Sequence, residues 1–420
     1  MRNVLRRYLT RDRGCAPLAL WVAIVGCLAT IFGVAASSGT AAQARLAALP
    51  AAATSPPDNP STPERVALGR LLFWDPILSG QKDVACATCH HPAFGYSDGL
   101  DLSIGANGAG LGPARGFAEG HQARPVKRNS QTVLNAAFNG LTATAASTPA
   151  SAPMFWDLRV SSLEAQSLEP LKALDEMRGA AYPEEGALAA AVARLKAIPE
   201  YRRLFGRAYG GTAPVNERNL GRALASFERT LIAVNTPFDR YMRGDTAALT
   251  PEQLAGMERF QSIGCINCHN GPMFSDFATH VLGVPDSARL LESDSGVNKT
   301  YAFRTPSLRN LGVTGPYMHS GVFASLPEVI GFYQRISRGG GRGRGGRGDD
   351  GGGRGGGGAR GPSLLVSPDQ IDPLARQLNM RGGGQRDLIA FLSALDDPDF
   401  DRRVPERVPS GLAVGGALQR

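Results

Sequence analysis

Cysteine, histidine and tryptophan are scarce in this sequence. Its 420 residues include six cysteines, six histidines and three tryptophans. Cys15 and Cys27 lie near the N-terminus, and the other four cysteines form two close pairs. Too few cysteines are left over to build a disulfide framework. We expect the fold to depend on a hydrophobic core, because the apolar content of 43% is ordinary for a globular protein.

A strong excess of charge is also absent. The formal net charge is only +8 over the full length, so composition does not indicate a nucleic-acid or membrane-surface partner. Residues 338–361 are locally rich in glycine and arginine. Such a segment cannot bury a core, and we predict that it is a disordered insert without a nucleic-acid partner. The length of the chain allows two or three domains.

The N-terminus has the pattern of an export signal. Several arginines precede an apolar run from about Ala16 to Ala36, and the small-residue sequence Ala42-Gln43-Ala44 follows. We predict a secretory signal peptide over residues 1–44. The run is also long enough for an uncleaved membrane anchor, which would be the only contact with a membrane. Residues 45–61, rich in alanine, proline and serine, are predicted to be a linker.

The four remaining cysteines belong to a motif that occurs twice. Cys86 and Cys89 precede His90, and Cys265 and Cys268 precede His269 in the same spacing. Cysteines three residues apart lie one helical turn apart, so both can bond one porphyrin, with the next histidine as the iron ligand. An all-cysteine zinc site and a dithiol redox motif are alternatives. Neither requires a histidine after each pair, so we predict two covalently bound haem c groups.

Helical signals dominate the rest of the chain. Thr62-Pro63-Glu64 and Thr250-Pro251-Glu252 are typical helix starts, and each precedes one of the two motifs. The repeated arrangement indicates a duplicated, all-α haem domain. Apolar periodicity predicts further helices at about 161–174, 184–208, 216–233, 327–336 and 388–395. We expect an N-terminal haem domain over 62–246, a C-terminal haem domain over 247–404, and a C-terminal tail over 405–420.

Several longer motifs carry a family resemblance. They are Leu68–Phe73, Arg128–Asn135, Phe155–Asp157, Leu163–Gln166, Phe227–Leu231, Pro237–Tyr241, Thr305–Asn310 and Pro316–Gly321. With these motifs in this order, the chain from about Ala67 to its end resembles the bacterial di-haem cytochrome c peroxidases, the family that includes the methylamine-utilisation enzyme MauG. The resemblance implies two cytochrome c-like helical domains packed so that their haems exchange electrons.

The resemblance also implies a function. The N-terminal haem would be the site of hydrogen peroxide reduction, and the C-terminal haem would relay electrons from a small c-type cytochrome or a cupredoxin. The location would be the periplasm, and a homodimer is a further expectation. Two alternatives stay open: a MauG-like oxidase that modifies residues of a partner protein, and a di-haem electron carrier without enzymatic activity.

The resemblance also implies which residues of this sequence form the site, position by position. His90 and His269 match the iron ligands on the proximal sides of the two haems. Glu176 falls at the position of the distal acid–base residue, and a carboxylate there could move a proton between the two peroxide oxygens. Gln166 resembles a residue of the distal pocket. Trp156 resembles the tryptophan that lies between the haems and passes electrons.

The resemblance also implies a Ca²⁺ ion, in addition to the two haem irons. Asn129, Thr314 and Pro316 match positions that hold Ca²⁺ near both haems. The asparagine would supply its side-chain oxygen and the other two their backbone carbonyls, with waters completing the shell that such a hard cation prefers.

The second iron ligand of each haem differs between subtypes of the family. His121 lies at the spacing of a removable distal ligand on the peroxide haem, although it is equally compatible with an exposed loop. Tyr333 lies fourteen residues after His319, where other members place the second ligand of the relay haem. A tyrosine there indicates the MauG-like subtype, and Met318 is the rival ligand.

Overall fold

The computed structural model describes residues 46–117, 119, 123–338, 363–380 and 383–419. The predicted signal segment, His121 and nearly all of the glycine- and arginine-rich insert lie outside these residues. Every helix among the described residues is too short or too polar to cross a bilayer.

The described chain is mostly helical, as predicted. Its α-helices are α1 Pro63–Trp74, α2 Cys86–Cys89, α3 Leu163–Gln166, α4 Glu169–Lys172, α5 Ala187–Ala197, α6 Pro199–Tyr209, α7 Glu217–Glu228, α8 Pro237–Met242, α9 Pro251–Ser262, α10 Leu326–Ser337, α11 Pro373–Arg376 and α12 Gln385–Ser393. Eight short 3₁₀ segments and one π-helical turn, Leu174–Arg178, complete the helical part. Two predicted helices are each divided in two, because Pro170 and Pro199 lie in the first turn of new helices within them.

Three two-stranded antiparallel ribbons are the only described sheets. Their strands are β1 Gly108–Ala109, β2 Gly116–Phe117, β3 Pro153–Met154, β4 Val160–Ser161, β5 Thr279–Val281 and β6 Ala302–Arg304. They pair β1 with β2, β3 with β4 and β5 with β6, with Thr279 opposite Arg304 in the last ribbon.

The two predicted helix starts are confirmed. The Thr62 hydroxyl accepts a hydrogen bond from the backbone N–H of Arg65 at the start of α1. Thr250 does the same for Gln253 at the start of α9, and the Gln253 side chain returns a bond to Thr250 N–H. These bonds satisfy backbone N–H groups that have no partner inside the helix. Capping by Thr62 and Thr250 therefore determines where α1 and α9, the helices before the two motifs, begin.

The two halves of the chain have similar helix crossings. α1 crosses α7 at Gly69, where an added Cβ would lie 1.9 Å from the Ala223 carbonyl oxygen. α9 crosses α12 at Gly256, where it would lie 2.0 Å from the carbonyl oxygen of Asp387. Only glycine allows backbones to approach this closely. In both halves the helix before the Cys-x-x-Cys-His motif therefore packs closely on a helix later in the chain: α1 on α7, and α9 on α12.

Each half has its own aromatic core. The first is built around α1, α5, α6 and α7 and the second around α9, α10 and α12. Their largest buried side chains are Phe73, Trp74, Tyr96, Tyr201, Phe205 and Phe227 in the first core and Phe238, Phe260, Phe274 and Phe391 in the second.

Residues 46–61 are packed rather than extended as a linker. The backbone N–H of Leu49 donates to the Asp239 carboxylate at 3.0 Å. The fully buried Asn59 side chain donates to the Glu164 carboxylate at 2.8 Å. The alanine-rich composition suggested a tether, but these two polar contacts and the buried Leu46 hold the segment on the folded body.

The C-terminal tail, residues 405–419, packs on the N-terminal half. Val408 is buried in the first core, at the opposite end of the sequence from α1. The Gly415 N–H donates to the Trp74 carbonyl at 2.7 Å, and its own carbonyl accepts from the Thr88 hydroxyl at 2.8 Å. Thr88 lies in α2, within the first Cys-x-x-Cys-His motif. The tail therefore completes the packing of the N-terminal half.

Candidate active site

One cavity of about 690 Å³ is lined by both Cys-x-x-Cys-His motifs. The structure brings nearly all of the predicted site residues to its wall. They are His90, His269, Glu176, Gln166, Trp156, Asn129, Thr314, Pro316, Tyr333 and Met318. His121 is the one predicted site residue that lies outside the described residues.

The two motif histidines are held in the same way. His90 Nδ1 donates to the Tyr96 carbonyl at 3.1 Å, and His269 Nδ1 donates to the Phe274 carbonyl at 3.0 Å. A carbonyl can only accept, so both rings keep their proton on Nδ1 and leave the Nε2 lone pair free. Burial lowers the pKa of both imidazoles, which favours the neutral form that binds a metal.

The four motif cysteines do not assemble into one metal site. Among the described residues, the one compact group of candidate metal ligands is Cys268 with Asp276 and His280. The four sulfurs therefore do not converge as an all-cysteine zinc site requires, and the cysteines form no disulfide. Each pair instead faces the shared cavity beside its own histidine.

Glu176 is a half-buried residue on the π-helical turn Leu174–Arg178. Burial raises the pKa of Glu176, and the positive charge of Arg159 opposes this rise. The side chain has no hydrogen-bond partner among the described residues, and it lines the same cavity as His90. A carboxyl with a raised pKa and free oxygens is suited to take up and release a proton.

Trp156 is fixed by contacts on both sides of its indole. Its Nε1 donates to the Asn129 carbonyl at 3.1 Å, and the next residue, Asp157, pairs with Arg128 at 2.7 Å. The indole also lies edge-on to the His319 ring, with 6.4 Å between the centroids. Gln166, at the end of α3, lines the same cavity. Trp156 is therefore a rigid aromatic group in the wall that both motifs share.

The chain is similar to the proteins of one known family. Residues 63–247 match the family model described as di-haem cytochrome c peroxidase. The chain is 34% identical over 377 residues to the methylamine utilization protein MauG of Methylorubrum extorquens, covering 87% of this chain and 89% of that protein. The chain belongs to the di-haem cytochrome c peroxidase family.

Further relatives agree with this family. The cytochrome-c peroxidase IdrP1 of Pseudomonas sp. strain SCT is 34% identical over 408 residues, with 89% and 90% coverage. Among solved structures, a MauG-like protein associated with microbial copper homeostasis has a TM-score of 0.63 at 26% identity, covering 83% of this chain and 95% of its own. The diheme peroxidase BthA of Burkholderia thailandensis, at 21% identity and a TM-score of 0.58, shares the fold.

The residues of the cavity fit the two haem c groups of a di-haem peroxidase. Each motif offers two cysteine sulfurs and one neutral imidazole with a free Nε2. Much of the surrounding wall is apolar, with Phe260, Leu308 and Leu392 on the side of the second motif. Such walls suit a porphyrin, and polar groups are few and placed at particular points.

Tyr333 and Met318 both reach the cavity in this di-haem peroxidase. Tyr333 lies on α10, and its ring packs edge-on to Phe332. Burial is the main cause that raises the pKa of Tyr333, and Cys265 and Cys268 lie near enough to contribute. The Tyr333 hydroxyl has no hydrogen-bond partner among the described residues. It is therefore free to serve as a ligand beside the second motif.

The predicted calcium ligands lie on the same wall. Asn129 donates its side-chain N–H to the Leu100 carbonyl at 2.8 Å, so its side-chain oxygen is left to accept. Thr314 and Pro316 line the cavity as well, with a cis peptide bond before Pro316. Calcium binding by these oxygens stays a prediction.

Glu228 is a cavity residue that sequence reasoning missed. It ends α7, is only 4% exposed, and its Oε2 has no hydrogen-bond partner among the described residues. Burial raises the pKa of Glu228 to about 8, although Arg229 acts in the opposite direction. Glu228 lies in the Phe227–Leu231 family motif, but nothing in its spacing indicates burial beside Cys86.

Replacing Glu228 with glutamine is expected to change how stability depends on pH. The folded state holds the proton between the ordinary pKa of 4.5 and about 8, so wild-type stability falls as pH rises through this window. Glutamine does not titrate. The free energy of unfolding of Glu228→Gln should match wild type near pH 4.5 and exceed it above pH 8 by about 1–3 kcal/mol. Denaturant unfolding of the holoprotein at both pH values measures this difference.

The control is Glu217→Gln at the exposed start of the same helix. It should leave the pH profile of stability unchanged. Equal pH profiles for wild type and Glu228→Gln would show that the carboxyl is not held protonated.

His280 is a second residue whose environment the sequence does not reveal. Its Nδ1 lies 2.7 Å from the Asp372 carboxylate and its Nε2 lies 3.0 Å from that of Asp276. The hydrogen bond with Asp276 is the main cause that raises the pKa of His280 to about 11. Both ring nitrogens are therefore donors, which excludes His280 as a metal ligand in this arrangement. It ties the turn after the second motif to the start of α11.

Proposed function

We propose that this di-haem peroxidase reduces hydrogen peroxide to water beside the first motif. The observation that carries the proposal is the half-buried Glu176 carboxyl, whose pKa is raised by desolvation, on the same cavity wall as His90. When bound, the haem iron supplies the redox centre for cleavage of the peroxide bond. The electrons would come from a small c-type cytochrome or a cupredoxin. The relatives named cytochrome-c peroxidase support this direction of reaction.

Glu176 would move the proton that cleavage of the O–O bond requires. One carboxylate oxygen accepts the proton from the first peroxide oxygen and returns it to the departing oxygen, which leaves as water. General acid–base catalysis is most effective when the catalytic pKa is near the working pH. The raised pKa of Glu176 supports this role. Gln166 on the same wall would help to orient the peroxide.

The second motif would supply electrons through Trp156. We infer that Tyr333 would hold that haem together with His269, as in the MauG-like subtype. An anionic oxygen ligand stabilises ferric iron, so this haem would have a lower reduction potential than one with a methionine ligand. The free Tyr333 hydroxyl in the cavity supports the assignment.

Replacing Tyr333 with phenylalanine tests this ligand. The optical and EPR spectra of the second haem should lose the signature of a phenolate ligand, and its reduction potential should rise because ferric iron loses an anionic donor. Met318→Leu is the matched control on the same cavity and should leave both spectra unchanged. A changed spectrum in Met318→Leu alone would assign the methionine instead.

A MauG-like oxidase acting on a partner protein is the second candidate. The 34% identity to the methylamine utilization protein MauG and the tyrosine at position 333 favour it. Peroxide-dependent oxidation of reduced cytochrome c at a high turnover rate supports the peroxidase. Slow turnover with a long-lived oxidised state supports the oxidase. Two six-coordinate haems that persist after one-electron reduction, without peroxide consumption, would identify an electron carrier.

Location and calcium complete the proposal. Haem c is attached outside the cytoplasm, so we infer that the chain is exported to the periplasm. The signal segment would be cleaved off after export. N-terminal sequencing of the mature protein tests the cleavage. One Ca²⁺ held by Asn129, Thr314 and Pro316 would sit near both haems, and elemental analysis of the holoprotein tests it: a preparation with full activity and no calcium would reject this site.

A further inference from the structure

Arg304 is a buried arginine with few partners. It ends β6 and is only 6% exposed. Its Nη1 donates to the Pro153 carbonyl at 3.2 Å, and its Nε has no hydrogen-bond partner among the described residues. No carboxylate of the described chain forms an ion pair with it. Burial lowers the pKa of the guanidinium to about 10, which still leaves it charged at neutral pH.

Two other buried arginines are fully satisfied by protein groups. Arg309, 2% exposed, forms two parallel bonds with the Asp239 carboxylate at 2.8 and 2.9 Å. Arg115, 4% exposed, donates to four backbone carbonyls at 2.5 to 3.1 Å. Buried charges in proteins are normally paired in one of these ways. Arg304 differs from both, because its side-chain partners among the described residues are one carbonyl and the Phe277 ring, 5.6 Å from the guanidinium carbon, and its Nε has no acceptor there. It is therefore suited to an anionic partner that the described protein groups do not supply.

The position of Arg304 indicates what the partner is. Arg304 lines the cavity that both motifs share. Its backbone N–H donates to the Trp156 carbonyl at 2.8 Å. Two residues later, the Pro306 carbonyl lies close enough to the His269 ring to influence its pKa. The arginine therefore lies between Trp156 and the second motif, in a cavity whose expected occupants each carry two carboxylates.

We propose that the Arg304 guanidinium binds a propionate carboxylate of the haem attached to Cys265 and Cys268, on the side of the cavity next to Trp156. The planar fork of arginine matches a carboxylate with two parallel hydrogen bonds. The contact would fix the orientation of this haem relative to the indole. Its positive charge would offset the propionate charge and disfavour ferric iron, so Arg304 is a positioning residue that raises the reduction potential of the relay haem.

The test replaces Arg304 with glutamine and with lysine in the holoprotein. An optical redox titration at neutral pH measures the midpoint potential of each haem. We expect Arg304→Gln to lower the potential of the haem attached to the second motif, with full covalent haem attachment. Arg304→Lys keeps the charge but not the fork, so it should give a smaller shift of the same sign. Arg202→Gln, which removes a surface arginine of α6, should change neither potential.

Two results would overturn the proposal. One is unchanged potentials in a folded Arg304→Gln protein, as expected if the arginine only packs against Pro153. The other is a shift confined to the haem of the first motif. If the glutamine variant does not accumulate, a crystal structure of the wild-type holoprotein decides. A guanidinium nitrogen within hydrogen-bond distance of a propionate oxygen of the second haem confirms the contact, and a longer separation rejects it.

Discussion

Replacing Glu176 with glutamine should lower the turnover number for peroxide by about 10²–10⁴-fold. Glutamine has nearly the same shape as glutamate but cannot take up the peroxide proton and return it. The side chain has no protein hydrogen-bond partner among the described residues, so the substitution breaks no contact of the fold. Both haems should remain attached with unchanged resting spectra at the second motif. Steady-state turnover with reduced cytochrome c and stopped-flow mixing with peroxide measure the effect.

Glu169→Gln is the matched control for this variant. Glu169 lies one short helix earlier, and its carboxylate pairs with Lys172 at 2.5 Å. It influences the pKa of Glu176 only weakly, as a nearby negative charge. Its replacement should leave turnover within a small factor of wild type. Near-wild-type turnover in Glu176→Gln would remove Glu176 from the mechanism and leave the proton to water.

The second large effect is expected from the substitution Gly105→Ala. At Gly105 an added Cβ would lie 2.2 Å from the Asp175 carbonyl oxygen, 2.4 Å from that of Glu176 and 2.7 Å from the Glu176 Cα. All three are backbone atoms, so the clash cannot be relieved by a side-chain rotation. Gly105→Ala must therefore displace the π-helical turn that carries Glu176. A displacement of about 1 Å at a catalytic group lowers turnover by roughly 10²-fold.

The same substitution should also lower stability. Overpacking at a tight contact typically costs about 1–3 kcal/mol in the free energy of unfolding. Gly206→Ala in α6 is the control, because an added Cβ there meets nothing within 4 Å. Alanine is the better helix former, so this variant should gain roughly 0.5–1 kcal/mol without a change in turnover. Normal turnover in a destabilised Gly105→Ala protein would show that the Glu176 turn tolerates movement.

Local signals in the sequence predicted much of the fold. Thr62 and Thr250 begin α1 and α9, because capping depends on residues within one turn of each other. The predicted site residues Glu176, Gln166 and Trp156 came from ordered family motifs, and the structure places all three on one cavity. Their roles stay predictions until the variants are measured.

What the sequence could not predict depends on contacts between distant segments. Asp372 meets His280 across 92 positions. Arg304 is unusual because its Nε has no hydrogen-bond partner among the described residues and no carboxylate pairs with it, although the sequence contains many acidic residues. Val408 lies in a proline- and arginine-rich stretch without periodicity, so nothing local marks it as a core residue.

The attachment of the C-terminal tail to α2 has a consequence for how the protein matures. The chain is made from its N-terminus, so Cys86 and Cys89 are synthesised more than 300 residues before Gly415, whose carbonyl receives the Thr88 hydroxyl across 327 positions. The segment that packs on Thr88 is therefore among the last parts of the chain to be made, and the first motif cannot reach its final packing before then. The same order has a practical consequence: a purification tag fused to the C-terminus would follow directly from the segment that packs on the first motif.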